Sequence, residues 1–393
     1  MNDREFELRL RDYLIAHAVY LTRYTNAQAR KAVKLLNTAL SGFQGDLAAR
    51  IVRIEERGLD IGPATTKRIN AQIKEIRAII DDAYAPVNAT ILDDLRDFAD
   101  DEASFAVKAI KASKKTITDD LKATAGGGGG RKTGRISPIK PGRKPTINLE
   151  VQFPTKSPAP TMIHAIIDTN PMSGKHLKSW ADKMTADTKD AVEAALRDGL
   201  AKSKTTDQIV RSIIGTKANK YTDGIMQGSR KSIDAMVRTA INHVHNVAAQ
   251  LSYAENDDVI QGWKYLSVLD NRTTRFCAVH DGKKYKLGQG PIPPNHVRCR
   301  SLCQPVTLTM RELGVDVDEG TALTRASMDG PVSGDITYDK WLKGRSTAEQ
   351  DDLLGKARGA AFRAGKIKLD DLYKDNGREY TLKELRARHP TAF

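Results

Sequence analysis

Cysteine is scarce in this chain of 393 residues: there are three, Cys277, Cys299 and Cys303, all in one short segment. An odd, clustered set argues against a disulfide framework and makes metal binding the first question. Aromatic residues are also few, at 6% against 40% hydrophobic residues overall, which describes a lean but globular chain. No run of about 18 apolar residues occurs, so no membrane span is expected. Met1-Asn2-Asp3-Arg4-Glu5 is charged and leads into no apolar segment, so no secretory signal is expected and the chain reads as made in a cytoplasm-like compartment. The glycine run Gly126 to Gly130 precedes no G-K-[ST] helix start, and no H-E-x-x-H occurs, so two common catalytic frameworks are missing.

What is present is positive charge. The formal net charge is +14, which suits either a polyanionic neighbour or a generally basic surface. The length exceeds one ordinary core and predicts two or three domains. Residues 1–124 read as helical. Leu10, Leu14, His17 and Leu21 share one face, as do Leu36, Leu40, Phe43, Leu47, Ile51 and Ile54, with a break expected at Gly42 and Gly45. Ile69, Ile73, Ile76 and Ile80 form another stripe at helical spacing. A helical bundle core is the expected use of these stripes, with a docking face as the alternative.

Residues 125–160 are rich in glycine and proline, and neither residue builds a core. Arg131, Lys132, Arg135, Lys140, Arg143 and Lys144 are six basic residues without an acidic one among them. The segment reads as a flexible linker that is also a candidate nucleic-acid contact, or as a solvated hinge alone. A second folded unit, residues 161–310, opens with an amphipathic helix carrying Leu177, Trp180 and Met184 and ending near Gly199. Thr205 with Gln208 spells a capping box for a shorter helix stopped by Gly215. A long helix from about Ser229 to Glu255 follows, then a weakly alternating strand over Gln261 to Leu269.

The chemistry concentrates after that strand. Cys277-x2-His280 and His296-x2-Cys299 are two ligand pairs separated by fifteen residues. Two such turns brought together complete a tetrahedron of nitrogen and sulfur, the set that zinc accepts, and four available ligands favour a closed structural site. Asp281-Gly282 supplies a turn, and Pro293-Pro294 stiffens the approach to His296. The order of ligand types departs from familiar zinc fingers, and the alternative is two hydrogen-bonded histidines beside two buried thiols. Cys303 is either a spare ligand or a small buried hydrophobe.

These residues resemble the phage head morphogenesis family, the minor head proteins similar to protein F of phage Mu. Asp270-x-Arg272-Thr273, Cys277, His280, Asp281-Gly282 and Pro293-Pro294-x-His296-x2-Cys299-Arg300 carry the clearest likeness, with His280 where the family commonly has a second cysteine. Arg238-Thr239-Ala240-Ile241-Asn242 resembles the family's R-T-E-x-N helix signature, with Ala240 in place of the acidic residue. Tyr338 to Leu342 and Leu382 to Leu385 in the tail, residues 311–393, resemble a segment that often follows this domain. The resemblance implies a virion component inside the head near the portal vertex. Its implied partners are the portal protein, the packaged double-stranded DNA and, as a further partner, the major capsid protein.

The expected fold is therefore mainly α: an N-terminal helical region, a flexible linker, a C-terminal α+β domain with a small zinc-knuckle-like Cys/His cluster, and a helical tail. The expected function is a portal-associated minor capsid protein without enzyme activity, holding structural zinc through Cys277, His280, His296 and Cys299. Asp270 and Arg272 are expected to fix the strand-to-loop geometry by an ion pair or backbone bonds. The alternatives are a metal-dependent nuclease or hydrolase, and a DNA-binding zinc module presenting Arg298 and Arg300 to phosphates.

Overall fold

The computed structural model describes residues 3–55, 63–125, 156–172, 174–307, 324–374 and 378–393. Two long helices, α1 (Asp3–Glu55) and α2 (Pro63–Ala125), lie antiparallel. Three polar contacts fix that register: a hydrogen bond between His17 and Glu102, and ion pairs from Lys31 to Asp94 and from Arg50 to Glu75. The break expected at Gly42 and Gly45 does not occur, and α1 runs through both. A glycine costs a helix interior only about 1 kcal/mol. Leu40, Phe43, Leu47 and Ile51 are all fully buried around it, and each such side chain returns roughly 2 kcal/mol. Ile73, Ile76 and Ile80 face the same core as expected, with Ile69 half-buried beside them. The side chains of Leu10 and Leu14 lie outside the described residues.

After α3 (Pro160–Thr169), three helices complete the bundle: α4 (Leu177–Ala201), α5 (Thr206–Ile214) and α6 (Met226–Ala254). The capping box at Thr205 and Gln208 is formed, and Gly215 ends α5 with φ of 95°. One continuous core takes residues from α1, α2, α4, α5 and α6. A buried hydroxyl chain crosses it, Tyr84 to Thr188 at 3.0 Å and Thr188 to Ser229 at 2.9 Å. From Thr239 to Gln250 every residue of α6 is buried, so this stretch is surrounded on all sides.

A three-stranded antiparallel sheet follows, order β2-β1-β3, with β1 (Ile260–Leu266) between β2 (Lys284–Lys286) and β3 (Leu302–Thr307). The short helix α7 (Arg275–His280) sits between β1 and β2. The tail adds a hairpin, β4 (Thr324–Ser327) with β5 (Gly330–Ser333), and four short helices: α8 (Tyr338–Lys343), α9 (Thr347–Leu354), α10 (Lys356–Arg363) and α11 (Leu382–Arg388). Tyr338, Leu342, Leu354 and Phe362 of the tail form a second core with Leu269 and with Ala278 and Val279 of α7. Among the described residues, no helix is long and apolar enough to cross a membrane.

Candidate metal centre

The loop between β2 and β3 is held by α6. Asn242 and Asn246 both donate to the Ser301 carbonyl, at 3.0 and 3.3 Å. Asn246 also accepts from the Cys303 backbone N–H at 2.8 Å, and the Tyr253 hydroxyl donates to the Cys303 carbonyl at 3.1 Å. One turn earlier, Thr239 accepts from the Arg298 N–H at 2.9 Å. Arg298 has a left-handed φ of 59°, a conformation costing a non-glycine residue about 1 kcal/mol or more. Its guanidinium is anchored on Asp234 at 3.0 Å, which holds the bend that turns Cys299 inward. The helix signature around Thr239 and Asn242 thus works as a clamp on this loop.

From the other side, α7 is capped by Thr274, which accepts from the Cys277 N–H. The Cys277 sulfur then meets His296 Nε2 at 3.2 Å and Cys299 Sγ at 3.7 Å. These three donor atoms all lie within 4.8 Å of one another. Two zinc–sulfur bonds of about 2.3 Å at a tetrahedral angle separate the sulfurs by about 3.8 Å, so the pair is spaced for one ion. The His296 Nδ1 is bonded to the Val297 carbonyl at 3.0 Å, which leaves Nε2 as the inward atom. A ring N–H held on a backbone carbonyl is the usual support of a metal-bound imidazole.

The electrostatics match that use. The Cys277 thiol is pulled well down, chiefly because its thiolate accepts from Cys299, with His296 helping against the cost of burial. Cys299 is pushed up by the same bond, since it keeps the shared proton, and burial adds to this. His296 is raised by its bond to Cys277. Cys277 is thus the member of the pair disposed to act as thiolate, the form that binds metal.

His280 stands apart from this group. Its ring stacks on Phe276, and Nδ1 bonds to the Phe276 carbonyl at 2.7 Å. That bond again leaves Nε2 as the free nitrogen. Cys303 faces the interior near Tyr253, its thiol raised to about 12 by burial, and does not join the three donors. Tyr265 does approach them, its hydroxyl 3.2 Å from Cys277 Sγ and accepting from Asn295. Tyr265 sits in the predicted strand, but nothing in its spacing announced this approach.

Asp270 and Arg272 meet less closely than their sequence neighbourhood suggests. The Arg272 guanidinium is 3.6 Å from Asp270 and largely exposed, although its backbone N–H donates to Asp270 at 3.1 Å. The principal partner is Arg300, which grips both Asp270 oxygens at 2.6 and 2.8 Å. Arg298 and Arg300 are thus both paired with carboxylates. Cys277 is buried, and with His296, Arg272 and Arg300 it lines a small cavity. The six basic candidates Arg131, Lys132, Arg135, Lys140, Arg143 and Lys144 lie outside the described residues.

This loop, clamped by α6 and closed by Cys277, His296 and Cys299, falls in a segment that is similar to the phage head morphogenesis proteins. The matching family model is described as Phage Mu protein F like protein and spans residues 186–304, from within α4 to within β3. All four candidate ligands, the signature helix and Asp270 lie inside that span, and the tail helices lie beyond it. No curated protein and no solved structure matches the chain.

Proposed function

We propose that this protein is a phage head morphogenesis protein, a minor capsid protein bound at the portal vertex and acting in head assembly and in DNA packaging or delivery. The family match over residues 186–304 carries the reading. The net charge of +14 supports a place beside packaged DNA. A structural zinc ion belongs to the same proposal. Cys277, His296 and Cys299 would hold it, with His280 supplying the fourth ligand, a second nitrogen, through Nε2 once its ring turns toward the group. The ion would lock α7 to the loop before β3, a folding role rather than a catalytic one.

The decisive experiment is fractionation of wild-type particles and of particles from a phage lacking the gene. The protein is expected in purified heads, cross-linked to the portal, and its removal is expected to lower the yield of DNA-filled or infectious particles. Absence from heads, together with metal-dependent DNA cleavage abolished by His280→Ala, would overturn the proposal in favour of a nuclease.

A further inference from the structure

A second group of metal-ligating side chains lies far from the cysteines, where α1, α2 and α6 meet. Glu102 of α2 is 2% exposed. Its Oε2 is 3.0 Å from His17 Nε2 on α1 and 2.6 Å from His245 Nδ1 on α6. The three donor atoms come from three helices and lie within 4.8 Å of one another. The other carboxylate oxygen, Oε1, is buried and has no hydrogen-bond partner among the described residues.

Two hydrogen bonds from neutral histidines would be the simplest account of this arrangement, and they leave two facts unexplained. Both imidazoles converge on one oxygen while its twin is orphaned, although a buried carboxylate oxygen without a partner costs about 1–3 kcal/mol. Among the described residues the side chains that meet Glu102 are these two histidines, which carry no charge in that account, and no lysine or arginine neutralises it. A buried carboxylate needs a compensating charge. A divalent cation between the three donors supplies that charge and can engage the second oxygen.

We propose that His17, Glu102 and His245 form a second metal site, for a first-row divalent transition ion such as zinc. Two imidazoles and one carboxylate are a donor set that zinc and cobalt accept, with bonds of about 2.0–2.2 Å. At a tetrahedral angle such bonds separate the donors by about 3.3 Å, so seating the ion requires the His17 contact to open by about 0.3 Å and the His245 contact by about 0.7 Å. The site would pin the α1–α2 hairpin to α6, the helix shared with the family segment.

Cobalt titration of the full-length protein after removal of bound metal tests this and separates the two sites. Cobalt at the cysteine centre shows thiolate charge-transfer absorption, whereas cobalt on His17, Glu102 and His245 shows only weak d–d bands. Wild-type protein is expected to take up an equivalent without charge transfer, whether or not the cysteine centre also fills. His245→Ala and the near-isosteric Glu102→Gln should each lose that equivalent and keep any thiolate signal. Cys299→Ser should do the reverse. Zinc should also raise the melting temperature of Cys299→Ser protein but not that of the Cys299→Ser, Glu102→Gln double variant. Two results would overturn the site: wild-type protein whose bound cobalt all carries charge transfer, or Glu102→Gln protein that binds as much cobalt as wild type.

Discussion

Asp281 and Arg325 form a two-pronged ion pair across 44 residues of sequence, at 2.8 and 2.9 Å. Their side chains are 0% and 8% exposed. The same carboxylate accepts from the Ser267 and Tyr338 backbone N–H groups, both at 2.7 Å. Arg325 also donates to the carbonyls of Ile336 and Ser267. The turn after α7, the end of β1, the β4–β5 hairpin and the start of α8 thus meet on one charge pair.

Breaking this pair from one side should be costly, because it strands a buried charge. Arg325→Met is expected to destabilise the tail by about 3–5 kcal/mol. Asp281→Asn should cost less, since the amide oxygen can still accept one backbone bond. Hydrogen exchange resolved by segment is the measurement: α8 to α11 should lose protection while α1 and α2 keep theirs. Equal protection throughout the Arg325→Met protein would refute the clasp.

At the cysteine centre, purified protein is expected to contain zinc bound through Cys277, His296 and Cys299. Cys277→Ser or Cys299→Ser should abolish that thiolate-bound zinc and lower the melting temperature, because metal binding free energy is folding free energy. His280→Ala should weaken binding less than either cysteine variant, as His280 stands outside the group of three donors. Elemental analysis and competition with a chelator of known affinity would check both points.

Asp270 gives a pH dependence with a defined sign. Burial raises its carboxyl, but the Arg300 guanidinium outweighs this, with Thr273 and the Arg272 N–H assisting, and the net shift is downward. A carboxylate lowered on folding contributes stability that is complete above its unfolded value, about 3.9. That contribution is lost as pH falls through the lower folded value. Asp270→Asn should therefore cost about 2 kcal/mol near neutrality, and the gap from wild type should close in acid. Denaturant melts at pH 7 and pH 3 would check this, and a gap of equal size at both would contradict it.

The linker prediction rests on charge alone. Replacing Arg131, Lys132, Arg135, Lys140, Arg143 and Lys144 with Ser or Gln should weaken nonspecific DNA binding. The log–log salt slope should flatten by roughly one unit for each phosphate that is no longer neutralised. An unchanged slope would leave the segment as a hinge only.

What could be read from the sequence divides along physical lines. The α5 capping box, the α6 stripe and the β1 alternation depend on neighbours within a few residues; the first two are where the sequence indicated, and β1 stops at Leu266, three residues short of the expected end. The closeness of Cys277, His296 and Cys299 was legible because their pairs repeat one spacing. Arg300 and Arg325 were not, because a partner 30 or 44 residues away leaves no periodic trace. The β4–β5 hairpin did carry a local sign in Gly330, which opens β5 just after the Met328-Asp329 turn at a φ of 111°. The break expected in α1 failed because packing outweighs a glycine's local preference. Glu102 was illegible as part of a site, since its two histidines lie 85 and 143 residues away.

The continuous core has a consequence for the integrity of the molecule. Leu36, Ile76 and Tyr84 precede residues 126–155, while Val192, Ile213 and Ile233 follow them, yet all six are buried together. Cohesion between the two halves is therefore a matter of interdigitated side chains rather than of the peptide that joins them. A protease that severs residues 126–155 should yield a nicked protein that still migrates as one body under native conditions and separates only in denaturant. Expressed alone, the first 124 residues would carry an apolar seam with nothing to cover it, so the halves behave as co-folding partners that share a chain.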